Sequence, residues 1–172
     1  MSRIIRDRAI VDDAALTVTT QEQLDAAPAH AALIVALPLW LAQRDALLAR
    51  GAPVGVLLAP NDTSDALVPD FDRLALIAIA FPQFADGRGY SIARLLRERQ
   101  GWKGELRAVG DILRDQLFYL HRCGFNAFAI RADRDIDDAL KAFDDFSDSY
   151  QTGVDQPVPL FRRRLAQGVA GA

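Results

Sequence analysis

Three uninterrupted apolar runs, each meeting a proline within two residues of its end, constrain the fold more than any other feature. They are 31–37 (AALIVAL) before Pro38, 54–58 (VGVLL) before Pro60 and 74–80 (LALIAIA) before Pro82. Runs this short, with no polar residue on alternate positions, read as strands buried on both faces, as in a parallel sheet covered by helices. Between the first two runs, 39–50 offers Leu41, Leu47 and Leu48 on one helical face, and Gly51 stands where a helix stops. Strand followed by helix is therefore the repeating unit.

The pattern continues to the C-terminal side. A helix is expected over 91–100 with Ile92, Leu95 and Leu96 inward, then a fourth strand at 105–109 (ELRAV). A helix opening at Gly110-Asp111 carries Leu113, Leu117 and Leu120 and stops at Gly124. A fifth strand is expected at 125–130 (FNAFAI), and Ile136, Ala139, Leu140 and Phe143 mark a last helix. Ahead of the first run, 3–11 reads as a short edge strand or hairpin start that 17–20 could pair with, and 21–27 as a helical turn. The fold class is α/β: a mainly parallel five-stranded sheet of successive βα units with a short N-terminal β-hairpin. Such a series makes either a doubly wound open sheet or a partial TIM-like barrel, because five units are too few for the usual eight-stranded closure. Both place binding groups beyond the C-terminal strand ends.

At 172 residues the chain is expected to form one domain over 1–152, with 153–172 as a mobile or partner-docked tail. A net charge of −3 and a pI near 5.3 speak against general attraction to nucleic acid or an anionic membrane. No signal-peptide pattern or ~20-residue apolar span is present, which gives the expectation of a cytoplasmic protein. With one cysteine, Cys123, and two histidines, no internal disulfide and no metal site are expected. Cys123 reads as a buried structural residue, because the end of its helix opposes thiolate formation.

The candidate chemistry lies in 81–91 (FPQFADGRGYS). Arg88 between Gly87 and Gly89, with Asp86 before and Ser91 as helix cap, could bring a forked donor and backbone N–H groups to a small oxyanion. The bland alternative is a tight turn in which Arg88 pairs with Asp86. Neither GxGxxG nor GxxxxGK[ST] occurs. Arg107 could add a second cation, and Asp111 and Asp115 are the candidate acid/base groups, Asp111 otherwise serving as an N-cap.

The strings FPQFADGRGYSIARLLRER and GELRAVGDILRDQLFYLHRCGFNAFAIR, with the segment ending SDSYQ, resemble a bacterial family of unknown function. Its members are commonly encoded beside sulfite reductase and phosphoadenylyl-sulfate reductase genes and are often labelled probable oxidoreductases of sulfite reduction. The resemblance implies a place in assimilatory sulfur metabolism and cysteine biosynthesis. It carries over no catalytic residue, and no cofactor motif is evident in the chain. Three functions follow as expectations. The first is an accessory protein of sulfite reduction that binds a small oxyanion or docks the sulfite reductase haemoprotein. The second is a stand-alone enzyme that holds an anionic small molecule on Arg88 and Arg107, with Asp111 or Asp115 moving the proton. The third is a homodimerising scaffold without ligand.

Overall fold

The apolar runs are neighbouring parallel strands; a helix fills the interval between the first two, as the sequence marks, and a 3-10 segment, Asp65–Asp70, precedes the third. In a computed structural model of the chain, residues 2–169 are described, with side chains through residue 165. The elements are β1 Ser2–Arg6, β2 Ala9–Asp13, β3 Leu16–Val18, α1 Gln21–Ala26, β4 Leu33–Ala36, α2 Leu37–Leu48, β5 Val54–Leu58 and β6 Leu76–Phe81. They continue with α3 Arg88–Arg94, β7 Glu105–Gly110, α4 Leu117–Arg122, β8 Ala127–Phe128, α5 Ile136–Leu140 and α6 Leu160–Val169. A single turn of π-helix, Leu95–Arg99, extends α3, and a 3-10 turn, Arg114–Gln116, leads into α4.

The sheet has eight strands in the order β2-β1-β8-β7-β6-β5-β4-β3. From β3 to β8 the strands are parallel and their spatial order is their order in the chain. A doubly wound sheet must reverse its strand order at some point, and this one does not over those strands. With right-handed crossovers such a progression puts its helices on one side, which is the barrel-type winding. The main core lies there, with Val35, Val56, Ile77, Ile79, Leu106 and Phe128 facing the helices.

Five strands was an undercount, because the N-terminal segment supplies three more. A hairpin turn at Asp7-Arg8 splits the expected edge strand into β1 and β2, and both turn residues have positive φ, 49° and 62°. Two-residue hairpins favour that conformation but usually encode it with Asn-Gly or Asp-Gly. Here tertiary contacts hold it: the Asp7 N–H donates to the Asn126 carbonyl (2.8 Å) and the Asn126 amide to the Asp7 carboxylate (3.0 Å). The stretch expected to pair with the first strand instead forms β3, parallel to β4. One segment therefore lines both edges of the sheet: β2 pairs with β1, and after Ala14 and Ala15 the chain continues as β3 beside β4. The edges meet at that bend.

One ion pair crosses the hollow of the curled sheet. Asp13 on β2 and Arg107 on β7 are three strands apart, roughly 14 Å on a flat sheet at ~4.8 Å per strand, yet Arg107 Nη1 lies 2.9 Å from Asp13 Oδ2. Fully stretched side chains could only just bridge that span, and the concavity that brings them together easily is the one the return of a single segment to both edges requires. The sheet's inner face is lined by small residues, Gly55, Ala78 and Ala127 among them, with Ile34 and Leu76. Leu76 lies over Gly55 so closely that a Cβ there would sit 2.5 Å from its Cγ. A narrow interior filled by side chains is how small barrels are built.

The expected tail also has structure. Helix α6 occupies part of it, and Arg163 donates to Asp148 (2.7 Å). The Gly/Ala end at 170–172 lies outside the described residues. No described helix is long and apolar enough to cross a membrane.

Candidate functional site: the rim at the C-terminal strand ends

The loops after β5, β6, β7 and β8 are tied together by side chains. Arg88 donates from Nε and Nη2 to both oxygens of Asp86 (2.9 and 2.6 Å) and from Nη1 to Asn61, which belongs to the loop after β5. The Asp86 carboxyl is held below its ordinary range chiefly by the hydrogen bond from Arg88, and the Arg88 guanidinium is raised in return. After β7, Asp111 accepts from the Phe84 N–H (2.9 Å) and from Arg131 Nη1 (2.7 Å). Arg131 also donates to Asp133 (2.6 and 3.0 Å), which keeps that carboxyl below its usual range. The turn at 81–91, the Gly110-Asp111 junction and Arg131 thus share one rim.

Several candidate residues have other duties than expected. The helix after the turn starts at Arg88 with Gly87 as N-cap, so Ser91 lies inside α3 and caps nothing. Gly89 belongs to the core: a Cβ there would stand 2.5 Å from the Phe81 ring. The glycine-flanked arginine therefore arises from packing on one side of Arg88 and a helix start on the other. Arg88 is half-exposed, and all three guanidinium nitrogens have partners.

The expectation of Arg107 as a second anion holder is corrected. It lies in the middle of β7 opposite Ala78 and Ala127, only 3% exposed, paired with Asp13 and with Glu105 Oε1 (2.7 Å). Both its charge and its position are spent inside the sheet. Asp111 is no N-cap either, since regular helix begins only at Arg114 and Leu117. Each Asp111 oxygen accepts one bond from a neighbouring loop, so the carboxylate is held in place as a clasp between loops and keeps only part of its acceptor capacity. Asp115 is exposed and lines a cleft of about 550 Å³ with Arg114, Asp133, Arg134, Asp135 and Asp138. Among the described residues no cluster of three or more His, Cys, Asp or Glu is placed to hold a metal.

Sequence reasoning missed Phe84. The residue is 47% exposed, yet its peptide is clamped on both sides, with the N–H on Asp111 and the carbonyl accepting from the buried Gln116 amide (3.3 Å). Nothing local signals the clamp, because Asp111 and Gln116 lie some thirty positions further along the chain.

These features define a singly wound α/β protein whose strand-end loops form a paired, charged rim around an exposed aromatic residue. The chain belongs to the family described as bacterial protein of unknown function (DUF934), which residues 55–161 match, more than half of its length. No curated protein and no solved structure matches it.

Proposed function

We propose that the protein is an accessory factor of assimilatory sulfite reduction that docks the sulfite reductase haemoprotein through this rim. The observation that carries the docking is Phe84, a large apolar side chain held out to solvent on a loop fixed by Asp111 and Gln116. Aromatic and arginine side chains dominate binding energy at protein interfaces, and a loop already ordered loses little entropy on association. Arg88 and Arg131 flank it as half-exposed donors with fixed orientation. The reductase as partner comes from the family resemblance of the sequence strings.

Docking is favoured over the other expectations by where the charges already are. An oxyanion at Arg88 would have to compete for a guanidinium whose charge is already met by a bidentate carboxylate and that also donates to Asn61. An enzyme would have to work with Asp111 tied to two neighbouring loops and Arg107 buried in ion pairs.

The test is binding of the purified reductase to the immobilised protein, with reductase turnover followed in parallel. Wild type is expected to bind, and Phe84→Ala to weaken binding by thirtyfold or so, the factor that corresponds to ~2 kcal/mol at a hot spot, with unchanged melting temperature. No binding by wild type removes the reading. Saturable sulfite binding lost in Arg88→Ala, without reductase binding, would replace docking by oxyanion capture.

A further inference from the structure

A second site lies away from the rim, on the helix-covered side. Between α3, α4 and the strap at 149–153 there is a pocket of about 340 Å³, lined among others by Arg94, Phe118, Tyr119, Arg122, Cys123 and Tyr150. That volume is at the lower end of the range for small-molecule sites. No aspartate or glutamate contributes to its lining, while two arginines do. Ser149 and Thr152 add hydroxyls.

Arg122 is the informative residue. It is only 8% exposed, and among the described residues no carboxylate stands within ion-pair distance of it. The other buried arginine, Arg107, has Asp13 and Glu105. Arg97, largely buried by desolvating neighbours, gives its donors to the carbonyls of Gly124, Trp102 and Gly104 and to Asn126. Arg122 makes two bonds only, to Ser149 Oγ and to the Gln151 carbonyl. Three of its five N–H donors have no acceptor among the described residues, and its Nε is not among the buried atoms left without a partner, so that nitrogen still meets solvent and a ligand can reach it. Asp155 Oδ1 and Arg122 Nη2 both stand beside Gly153, 2.5 and 3.0 Å from where a Cβ would be, so this carboxylate is a near neighbour of the guanidinium on the strap side without forming an ion pair with it. Arg94 opposite has one partner, a single oxygen of Glu98 one turn along its helix (3.0 and 2.7 Å), and both side chains are about half-exposed. Such a pair exchanges readily for a better anion.

We propose that this pocket binds a small organic anion, its phosphate, sulfate or carboxylate group bridging Arg94 and Arg122 and its apolar body lying against Phe118, Tyr119 and Tyr150. Phe118 is itself backed by Phe146 (ring centroids 4.9 Å), and Tyr119 by Tyr90 (5.1 Å), so two of the aromatic walls are braced from behind. Binding is non-covalent, because Cys123 is buried and its thiol is pushed above the ordinary range by desolvation.

Phenyl phosphate is the probe, with inorganic phosphate and phenol as separate arms, read by calorimetry and by amide shifts of the labelled full chain. Saturable binding of phenyl phosphate is expected, tighter than either fragment, weakened by added salt, with shifts at Tyr119, Cys123 and 149–153. Arg94→Gln should weaken it about tenfold, as loss of one charge-assisted contact does. Glu98→Gln, which frees Arg94, should tighten it. Arg122→Met also removes the brace on the strap, so Arg94→Gln and Glu98→Gln, both at the surface, decide the matter. No saturable binding at millimolar probe, equal binding by Arg94→Gln, or shifts confined to the rim around Phe84 and Arg88 would each overturn the site. None of these outcomes depends on whether the rim docks a partner.

Discussion

Replacing Asp13 by asparagine tests the closure of the sheet. The change keeps the side-chain shape and removes the charge that faces Arg107 across the concave surface (2.9 Å). Arg107 is 3% exposed, so what remains is a buried guanidinium with Glu105 as its only carboxylate partner, and Glu105 is shared with Arg6 (3.4 Å). Breaking a fully buried pair costs about 3–5 kcal/mol. Because Asp13 keeps 14% of its surface and Glu105 stays in place, the expected loss falls somewhat below that range, at about 2–3 kcal/mol. At roughly 2–4 °C per kcal/mol for a domain of this size, the melting temperature falls by about 5–10 °C. Urea titration should show a lower midpoint with an unchanged slope, since the surface exposed on unfolding is the same. Screening barely reaches a buried pair, so 1 M salt should leave the difference intact. On an open sheet the same substitution would remove a surface pair worth about 0–1 kcal/mol. A loss below about 0.5 kcal/mol, or one erased by salt, refutes the curled arrangement. A triple change of Asp13→Asn, Glu105→Gln and Arg107→Met should recover most of the stability, because burying charges costs nearly what pairing them returns.

Gly89→Ala should destabilise, since the added methyl meets the Phe81 ring and overpacking of about 1–3 kcal/mol outweighs the ~1 kcal/mol gain in helix propensity. Gly87→Ala should be nearly neutral, as its position is open and its φ of −82° is ordinary. Thermal melts of both separate a packing glycine from a permissive one, and the reverse order would contradict the packing. The rim should hold at neutral pH and loosen in acid. Asp86 and Asp133 lie below the ordinary aspartate value of 3.8 because of hydrogen bonds from Arg88 and Arg131, so their contribution is complete above that value and is lost as pH falls through their own midpoints. A carboxyl NMR titration placing either midpoint above 3.8 contradicts this. Cys123, 3% exposed and with its thiol raised by burial, should react with a disulfide reagent at pH 8 far more slowly in the native protein than in urea. Equal rates would place it at the surface.

The sequence alone determined the parallel core. Unbroken apolar stretches at β4, β5 and β6 demand burial on both faces, and the apolar positions that follow β4, β6 and β7 at helical spacing call for helices, so the α/β class follows from local composition while the strand order stayed open between a doubly wound sheet and a partial barrel. Gly124 ends the helix before β8 with φ +105°, as its residue type predicts. Only the tertiary structure decided the rest. The hairpin at Asp7-Arg8 has no turn signature and depends on Asn126, more than a hundred residues away. The closing of the sheet depends on whether the N-terminal segment returns to both edges, which is a matter of long-range pairing. Arginine carries the same ambiguity in the candidate sites: the letters are alike at 88, 107 and 122, but their acceptors are respectively a neighbouring aspartate, two partly buried carboxylates, and a hydroxyl with a carbonyl. Periodicity reports which face of an element is buried. It carries no record of which distant charge stands opposite, and that decides whether a guanidinium is structural or free to bind.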